Sequence, residues 1–167
     1  MISKVKPSEF TSMLNVINDA AQVYKGVIPA DVWKEPYMSA DELKTEINSG
    51  VQFYGCKEGS TLVAVMGIQH VKDVTLIRHA YVLTSHQRRG FGEKLLQHLI
   101  SLTETPSILV GTWTAAWWAI KFYEKHGFKL TTTAQKTQLL HVYWNIPERQ
   151  VETSVVLQLS NLKNARF

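Results

Sequence analysis

The sequence predicts a mixed α/β fold, α+β in its segment order, with one sheet flanked by helices. Three observations carry this. The chain has 167 residues, 45% of them hydrophobic and 19% charged, which can bury one sizeable core and is too apolar to stay disordered. The apolar period changes along the chain, from helical spacing to three β-rich runs and then to alternating strand and helix. No repeat and no Gly/Ser- or Pro-rich linker interrupts it, so 1–160 read as a single domain and 161–167 as a C-terminal tail.

The elements follow in order. A short strand, Ile2–Val5, opens the chain. Ser8 is the expected N-cap of a helix that runs to about Tyr24 and stops at Gly26. After a loop with Pro29 and Pro36, Ser39-Ala40-Asp41-Glu42 reads as a capping box opening a second helix that ends near Gly50. Val51–Lys57 and Thr61–His70 are strands joined through Glu58-Gly59-Ser60, and Val71-Lys72-Asp73 turns into a third, Val74–Leu83. The three are expected to form an antiparallel meander. A loop, Thr84–Arg89, leads into a helix over Gly90–Leu102, where Leu95, Leu96, Leu99, Ile100 and Leu102 recur at helical spacing. Ser107–Thr112 reads as a buried strand, Ala115–His126 as a helix stopped by Gly127, and Phe128–Leu130 and Thr153–Leu159 as the last strands.

Composition excludes several classes. The longest uncharged stretch, Thr105–Ile120, is too short and too polar to cross a bilayer, and Met1–Ser12 lacks an apolar signal core, so neither membrane partner nor export is expected. Cys56 is the only cysteine, which forbids an internal disulfide and points to a reducing, cytoplasmic setting. The net charge of +4 is uneven: residues 1–83 carry −1 and residues 84–167 carry +5, while Asp19–Glu58 alone carries −3. A basic half can face nucleic acid, an anionic ligand or water. Nucleic acid is not expected, because basic residues are not interleaved with aromatic runs and no helix-turn-helix or zinc spacing occurs. No metal site is expected.

The chemistry concentrates in Tyr81-Val82-Leu83-Thr84-Ser85-His86-Gln87-Arg88-Arg89-Gly90-Phe91-Gly92-Glu93-Lys94. A strand stops, a polar loop follows, and two glycines open an amphipathic helix. The first turn of a helix presents amides without internal partners, and the helix dipole adds about half a positive charge there. Gly90 and Gly92 keep side chains away from those amides, and Arg88 and Arg89 add fixed charge, which together describe a pyrophosphate cradle. A dinucleotide fingerprint would need a third glycine at position 95, which is Leu, and no Walker Gly-Lys-Ser/Thr is present.

A second segment, Ala119-Ile120-Lys121-Phe122-Tyr123-Glu124-Lys125-His126-Gly127-Phe128, is a helix closed by glycine. With both segments in view the chain resembles the GNAT superfamily of acyl-CoA-dependent N-acyltransferases. The family's Gln/Arg-x-x-Gly-x-Gly/Ala motif is matched by Gln87 to Gly92, and its A-x-x-F/L-Y-x-x-x-G-F helix by Ala119 to Phe128. The resemblance covers roughly residues 1–160 and implies the GNAT fold: a single central, mixed, mostly antiparallel sheet with two splayed parallel strands, here Val74–Leu83 and Ser107–Thr112, flanked by helices.

The resemblance also implies roles. Acetyl-CoA would be the co-substrate, with backbone groups of Val82 and Leu83 on its pantetheine. Its pyrophosphate would lie on the segment Gln87, Arg88, Arg89, Gly90, Phe91, Gly92 and Glu93. Tyr123 would hydrogen-bond or protonate the departing thiolate, since a phenol of pKa about 10 can serve a thiol of about 8.5. The general base is harder to place. Val74–Val82 holds no carboxylate, only Arg78 and His79; Gly111 and Trp113 stand where some relatives have Glu, and Ala116 where many have Asn. His79 is the candidate base, but strand alternation turns it away from the usual base face unless an irregularity reverses the pleat. The acceptor side is implied to include Tyr24, Trp33, Glu35, Tyr37 and Glu152, with Asp31, Tyr143, Trp144 and Glu148 nearby in sequence. Aromatic walls with carboxylates suit a cationic amine, whether a small molecule or a protein or peptide terminus. The expected activity is N-acetyl transfer by direct attack of the amine in a ternary complex. The alternative is a GNAT-fold module that binds CoA without catalysis. A homodimer is compatible with either.

Overall fold

Strands of alternating apolar residues and helices with one apolar face follow the order read from the sequence in the computed structural model, which describes residues 1–161. The elements are β1 (Ile2–Lys4), α1 (Phe10–Ala21), α2 (Ala40–Asn48), β2 (Gln52–Glu58), β3 (Thr61–Val71), β4 (Val74–Val82), α3 (Phe91–Leu102), β5 (Ser107–Trp113), α4 (Trp117–Lys125), β6 (Lys129–Leu130), α5 (Thr133–Tyr143), α6 (Glu148–Glu152) and β7 (Ser154–Ser160). The strands form a seven-stranded mixed sheet in the order β1-β2-β3-β4-β5-β7-β6, flanked by helices. β1 pairs with β2, β2 with β3, β5 with β7 and β6 with β7, all antiparallel. No described helix is long and apolar enough to cross a membrane.

The chain divides into two compact units. The first comprises Met1–Val23, Lys34–Gln69 and Ile77–Leu102. Its core follows from α1, where Met13, Val16, Ile17 and Ala20 recur at i, i+3, i+4 and i+7 and are all buried. Met13, Val16 and Ile17 make one cluster with Leu43 of α2, Phe53 of β2 and Val65 of β3. Each such side chain contributes about 1.5–3 kcal/mol on leaving water. Gly67 of β3 is required by close approach: a Cβ there would stand 2.9 Å from the Arg78 carbonyl and 2.7 Å from Val51 Cγ1.

The second unit comprises Tyr24–Trp33, His70–Leu76 and the chain from Thr103 onward. Val74, Leu76, Leu109, Leu140, Val151 and Val156 form its core. The β5–β7 ladder sets Ile108 opposite Leu159 and Val110 opposite Leu157. Asn161 fastens the end of β7 through Nδ2, which donates to the carbonyls of Thr103 (3.0 Å) and Thr105 (2.9 Å). Of the expected tail, 162–167 lie outside the described residues.

The structure corrects three local expectations. Ser8 does not cap α1. A 3-10 turn, Pro7–Glu9, precedes the helix, and its entry is fixed by Glu9, whose Oε1 accepts from the Lys6 amide at 2.9 Å. Ser39 does cap α2, accepting from the Glu42 amide at 3.1 Å, but the reciprocal half of the box is missing because the Glu42 carboxylate pairs with Lys34 at 2.5 Å instead. Between β6 and β7, where the sequence pattern assigns no element, the chain forms α5 and α6. Thr132 caps α5 with Gln135 in a complete capping box, and buried Lys136 donates from Nζ to the Val151 carbonyl near the end of α6.

Candidate active site

The first unit holds the loop between β4 and α3. Asp19 of α1 anchors its start: the carboxylate accepts from the Thr84 amide at 2.8 Å and the Thr84 hydroxyl at 3.0 Å. Leu83 is committed within the protein, its amide donating to Val63 and its carbonyl accepting from His86, both at 2.8 Å. The Val82 carbonyl accepts a long contact from Gln87 Nε2 at 3.3 Å. Of the two residues expected to hold pantetheine, Leu83 thus has both backbone groups already partnered.

Beyond Gln87 the backbone turns left-handed twice, at Arg88 (φ 63°) and Gly90 (φ 86°). Left-handed φ is rare for a residue such as Arg and natural for glycine. Such alternation turns successive amides toward one concave side, the arrangement that binds anions. Nothing lies within 4 Å of where a Gly90 Cβ would stand, so it is the backbone conformation, not crowding, that requires glycine. α3 starts at Phe91, with Lys94 N closing the first helical bond onto the Gly90 carbonyl at 3.1 Å. Two left-handed residues, an exposed glycine, a twelve-residue helix start and two arginines fit the pyrophosphate of an acyl-CoA.

Arg89 is not simply solvated. Its guanidinium pairs with Glu58 at the end of β2 and lies over the Phe91 ring at 5.4 Å. His86 Nε2 stands 3.5 Å from the other Glu58 oxygen.

β4 carries the second feature. Consecutive residues of a regular strand point to opposite faces. Arg78 and His79 nonetheless reach the same oxygen, Glu46 Oε2 of α2, at 3.0 and 2.8 Å. The reason is the backbone: His79 has φ 55°, which breaks the pleat. The irregularity that sequence alternation lacked is therefore present. Arg78 also donates to Gln69 Oε1 at 3.2 Å, and the Phe53 ring lies 5.9 Å from the imidazole. Burial pulls the His79 pKa below its ordinary value; the Glu46 hydrogen bond opposes this and the Arg78 charge reinforces it. Burial also works against the charged form of Glu46, but the His79 hydrogen bond and Arg78 outweigh it and hold the carboxyl below the usual range.

Tyr123, in the second unit, is 5% exposed and edged by Phe122 and Phe128. Burial pushes its hydroxyl well above the ordinary phenol range. Ala116 is fully buried at the N-cap of α4 and leaves that cap without a side-chain acceptor. At Gly111, a Cβ would meet the Trp144 indole at 3.4 Å, so the place where some relatives carry Glu is covered by an aromatic ring.

The residues expected to receive the acceptor divide between the units. Glu35 and Tyr37 belong to the first, where Glu35 is exposed and Tyr37 meets the Tyr81 ring edge-on at 6.5 Å. Tyr24, Trp33 and Glu152 belong to the second. Tyr24 is buried and stacks on Trp118 at 6.1 Å. Glu152 lies 3.4 Å from Arg149, which also holds Asp31 through two bonds of 2.8 and 3.1 Å. Glu148 takes His141, and Asp73 accepts from the Tyr143 hydroxyl at 2.6 Å. Much of the expected acidic wall is therefore already neutralised or bonded. Sequence reasoning missed Asp19, Glu46 and Glu58, whose partners lie 65, 33 and 31 residues away and leave no local signal. Among the described residues no three His, Cys, Asp or Glu side chains are grouped to hold a metal.

The comparisons agree with this fold. Structures with the same fold include the PaiA N-acetyltransferase of Thermoplasma acidophilum in complex with coenzyme A, 16% identical with a TM-score of 0.73 over 96% of this chain and 98% of that one. The ribosomal-protein-S18-alanine N-acetyltransferase of Escherichia coli is 16% identical with a TM-score of 0.65 over 96% and 92%. The yncA protein of Salmonella typhimurium, solved with acetyl-CoA, is 15% identical with a TM-score of 0.66 over 96% and 93%. No curated protein matches the sequence. Residues 16–142 match the acetyltransferase (GNAT) domain family, and the chain belongs to that family.

Proposed function

We propose that the protein is an N-acetyltransferase that moves the acetyl group of acetyl-CoA to a primary amine. The observation that carries this is the paired left-handed backbone at Arg88 and Gly90 opening α3 within a GNAT domain. When bound, acetyl-CoA supplies the activated thioester. The amides from Arg88 to Glu93 hold the pyrophosphate, with Gln87, Arg88 and Arg89 lining the approach and Val82 meeting the pantetheine. The acceptor nitrogen, freed of one proton, attacks the thioester carbonyl directly in the ternary complex. His79 takes that proton, and Tyr123 donates a hydrogen bond to the departing thiolate. The acceptor is a small-molecule or peptide amine, and Tyr24, Trp33, Glu35, Tyr37 and Glu152 remain the residues proposed to contact it. Cys56 is buried, and burial pushes its thiol up, which leaves it inert and suits a reducing cytoplasm.

A second reading is a GNAT-fold module that binds CoA without turnover. The absence of a carboxylate from Val74–Val82 and the Trp144 ring over Gly111 favour it. A panel of polyamines, amino acids and peptides with free N-termini, assayed for thiol release, separates the two: the enzyme releases CoA with one of them, the module with none. The cradle is tested by calorimetry with CoA. Gly90→Glu, which forces a side chain and a negative charge into a left-handed position, abolishes binding, while Gly90→Asn, whose residue tolerates that conformation, retains it. Normal affinity in Gly90→Glu would defeat the assignment.

A further inference from the structure

We propose that Glu46 is a positioning residue that, braced by Arg78, fixes the His79 imidazole with its Nε2 proton on the carboxylate and its Nδ1 lone pair free to accept a proton. This rests on the acetyltransferase reading and supplies that reading with the base its strand otherwise lacks.

Three observations build the pair. The left-handed φ of 55° at His79 is costly for a non-glycine residue and persists only where surrounding contacts impose it. Here the imposed contact is a 2.8 Å bond between Nε2 and Glu46 Oε2. An ionised carboxylate can only accept hydrogen bonds, so a 2.8 Å contact to it places the proton on Nε2. In a neutral imidazole the other nitrogen must then be the acceptor. Among the described residues no hydrogen bond reaches Nδ1, whereas Nε2 has one.

Arg78 completes the device. Its guanidinium, 3.0 Å from the same oxygen, stabilises the ionised carboxylate and is itself braced by Gln69 Oε1. It also opposes a permanent charge on the ring. The groups that face the imidazole are Glu46 and, farther off, Glu42 from α2, Arg78 from β4, and the uncharged Phe53 ring from β2. The ring is therefore neutral at physiological pH, as a base must be before it acts.

The proton balance closes. An acceptor ammonium gives one proton to Nδ1, and the imidazolium formed keeps a charge-assisted Nε2–H bond to Glu46. The nitrogen lone pair forms the C–N bond as the C–S bond breaks. The second proton lost by that nitrogen ends on the CoA sulfur, and Nδ1 returns its proton to water.

The alternative is that Glu46, Arg78 and His79 merely fasten α2 to β4. Nitrogen-15 spectra of the full-length protein, with Glu46→Gln and His79→Gln as variants, decide between them. The expected wild-type signature is the Nε2–H tautomer with a titration midpoint below that of a solvated histidine. In Glu46→Gln the midpoint falls further, because the charge and the bond that raise it are gone. The acidic limb of kcat/KM moves in the same direction and kcat falls, with the KM for acetyl-CoA unchanged. His79→Gln lowers kcat by about 10²-fold or more. The double variant is no slower than His79→Gln alone, since Glu46 acts only through the ring. An Nδ1–H tautomer in the wild type, a midpoint unmoved by Glu46→Gln, or additive losses in the double variant would overturn the proposal. Loss of stability with kcat and the pH profile unchanged assigns the cluster to fastening alone and also overturns it. Absence of thiol release with every amine of the panel defeats the acetyltransferase reading itself, whatever tautomer the spectra show.

Discussion

Tyr123 holds its proton more firmly than a solvated phenol, because burial penalises the phenolate. A thiolate whose parent pKa is about 8.5 cannot take that proton outright at low cost, so in the proposed mechanism the hydroxyl's part is to donate a hydrogen bond as charge develops on sulfur. Tyr123→Phe is expected to lower kcat by about 10²-fold and to leave acetyl-CoA affinity unchanged, read from initial rates and calorimetry. At the proposed cradle, Glu58 holds Arg89 and would compete for it with an incoming phosphate. The Arg89 and Glu58 side chains are about half exposed, 50% and 47%, and an exposed pair is worth about 0–1 kcal/mol. Glu58→Gln is therefore expected to tighten CoA binding by up to about fivefold at low salt, with the gain fading as ionic strength rises. Weaker binding in that variant would mean that Glu58 orients Arg89 rather than competing for it. Arg88, Arg89, Gly90 and Gly92 of the proposed cradle are neighbours in sequence, so they stand out as one segment. Glu58, Asp19 and Glu46 do not, because a carboxylate on a strand or helix shows no local sign of a partner more than thirty residues away.

Among the elements, β3 and β4 show why local reading stops short. The alternation of Val74–Val82 describes a plain strand, yet the backbone breaks its pleat at His79 and brings the Arg78 carbonyl 2.9 Å from where a Gly67 Cβ would stand. Gly67 marks the break from the neighbouring strand, a signal that only pairing reveals. Gly67→Ala is expected to destabilise the protein by about 1–3 kcal/mol, measured by urea denaturation, since backbone and Val51 would both have to shift. A neutral effect would show that the strand can relax there without cost. α5 was missed for a different reason. Its capping box, Thr132 to Gln135, is present in the sequence, but its residues carry no clear apolar stripe. It is held instead by Leu140 in the core and by buried Lys136 bonded to the Val151 carbonyl, both tertiary effects. α1 and α3, whose apolar faces are regular, were legible.

For the whole molecule, two short motifs at the right separation were enough to point to the family, because each encodes a backbone event: a left-handed turn into a helix at Gly90 and a helix stop at Gly127, where φ is 91°. The acceptor side was far less readable. Asp31, Glu148 and Glu152 looked like a wall for a cation, yet each lies against a basic side chain, Arg149 or His141. Charge counted along a sequence says nothing of which charges are already paired. The positive second half keeps its simplest meaning at Arg88 and Arg89, beside a site suited to a polyanion.

The central claim is acetyl transfer from CoA to an amine, and its most direct test is thiol release from acetyl-CoA across an amine panel, with the acetylated product identified by mass spectrometry. The account predicts release matched mole for mole by one acetylated amine and largely lost in Tyr123→Phe. Acetyl-CoA bound in the calorimeter with no thiol released for any amine would contradict it and leave a CoA-binding module in its place.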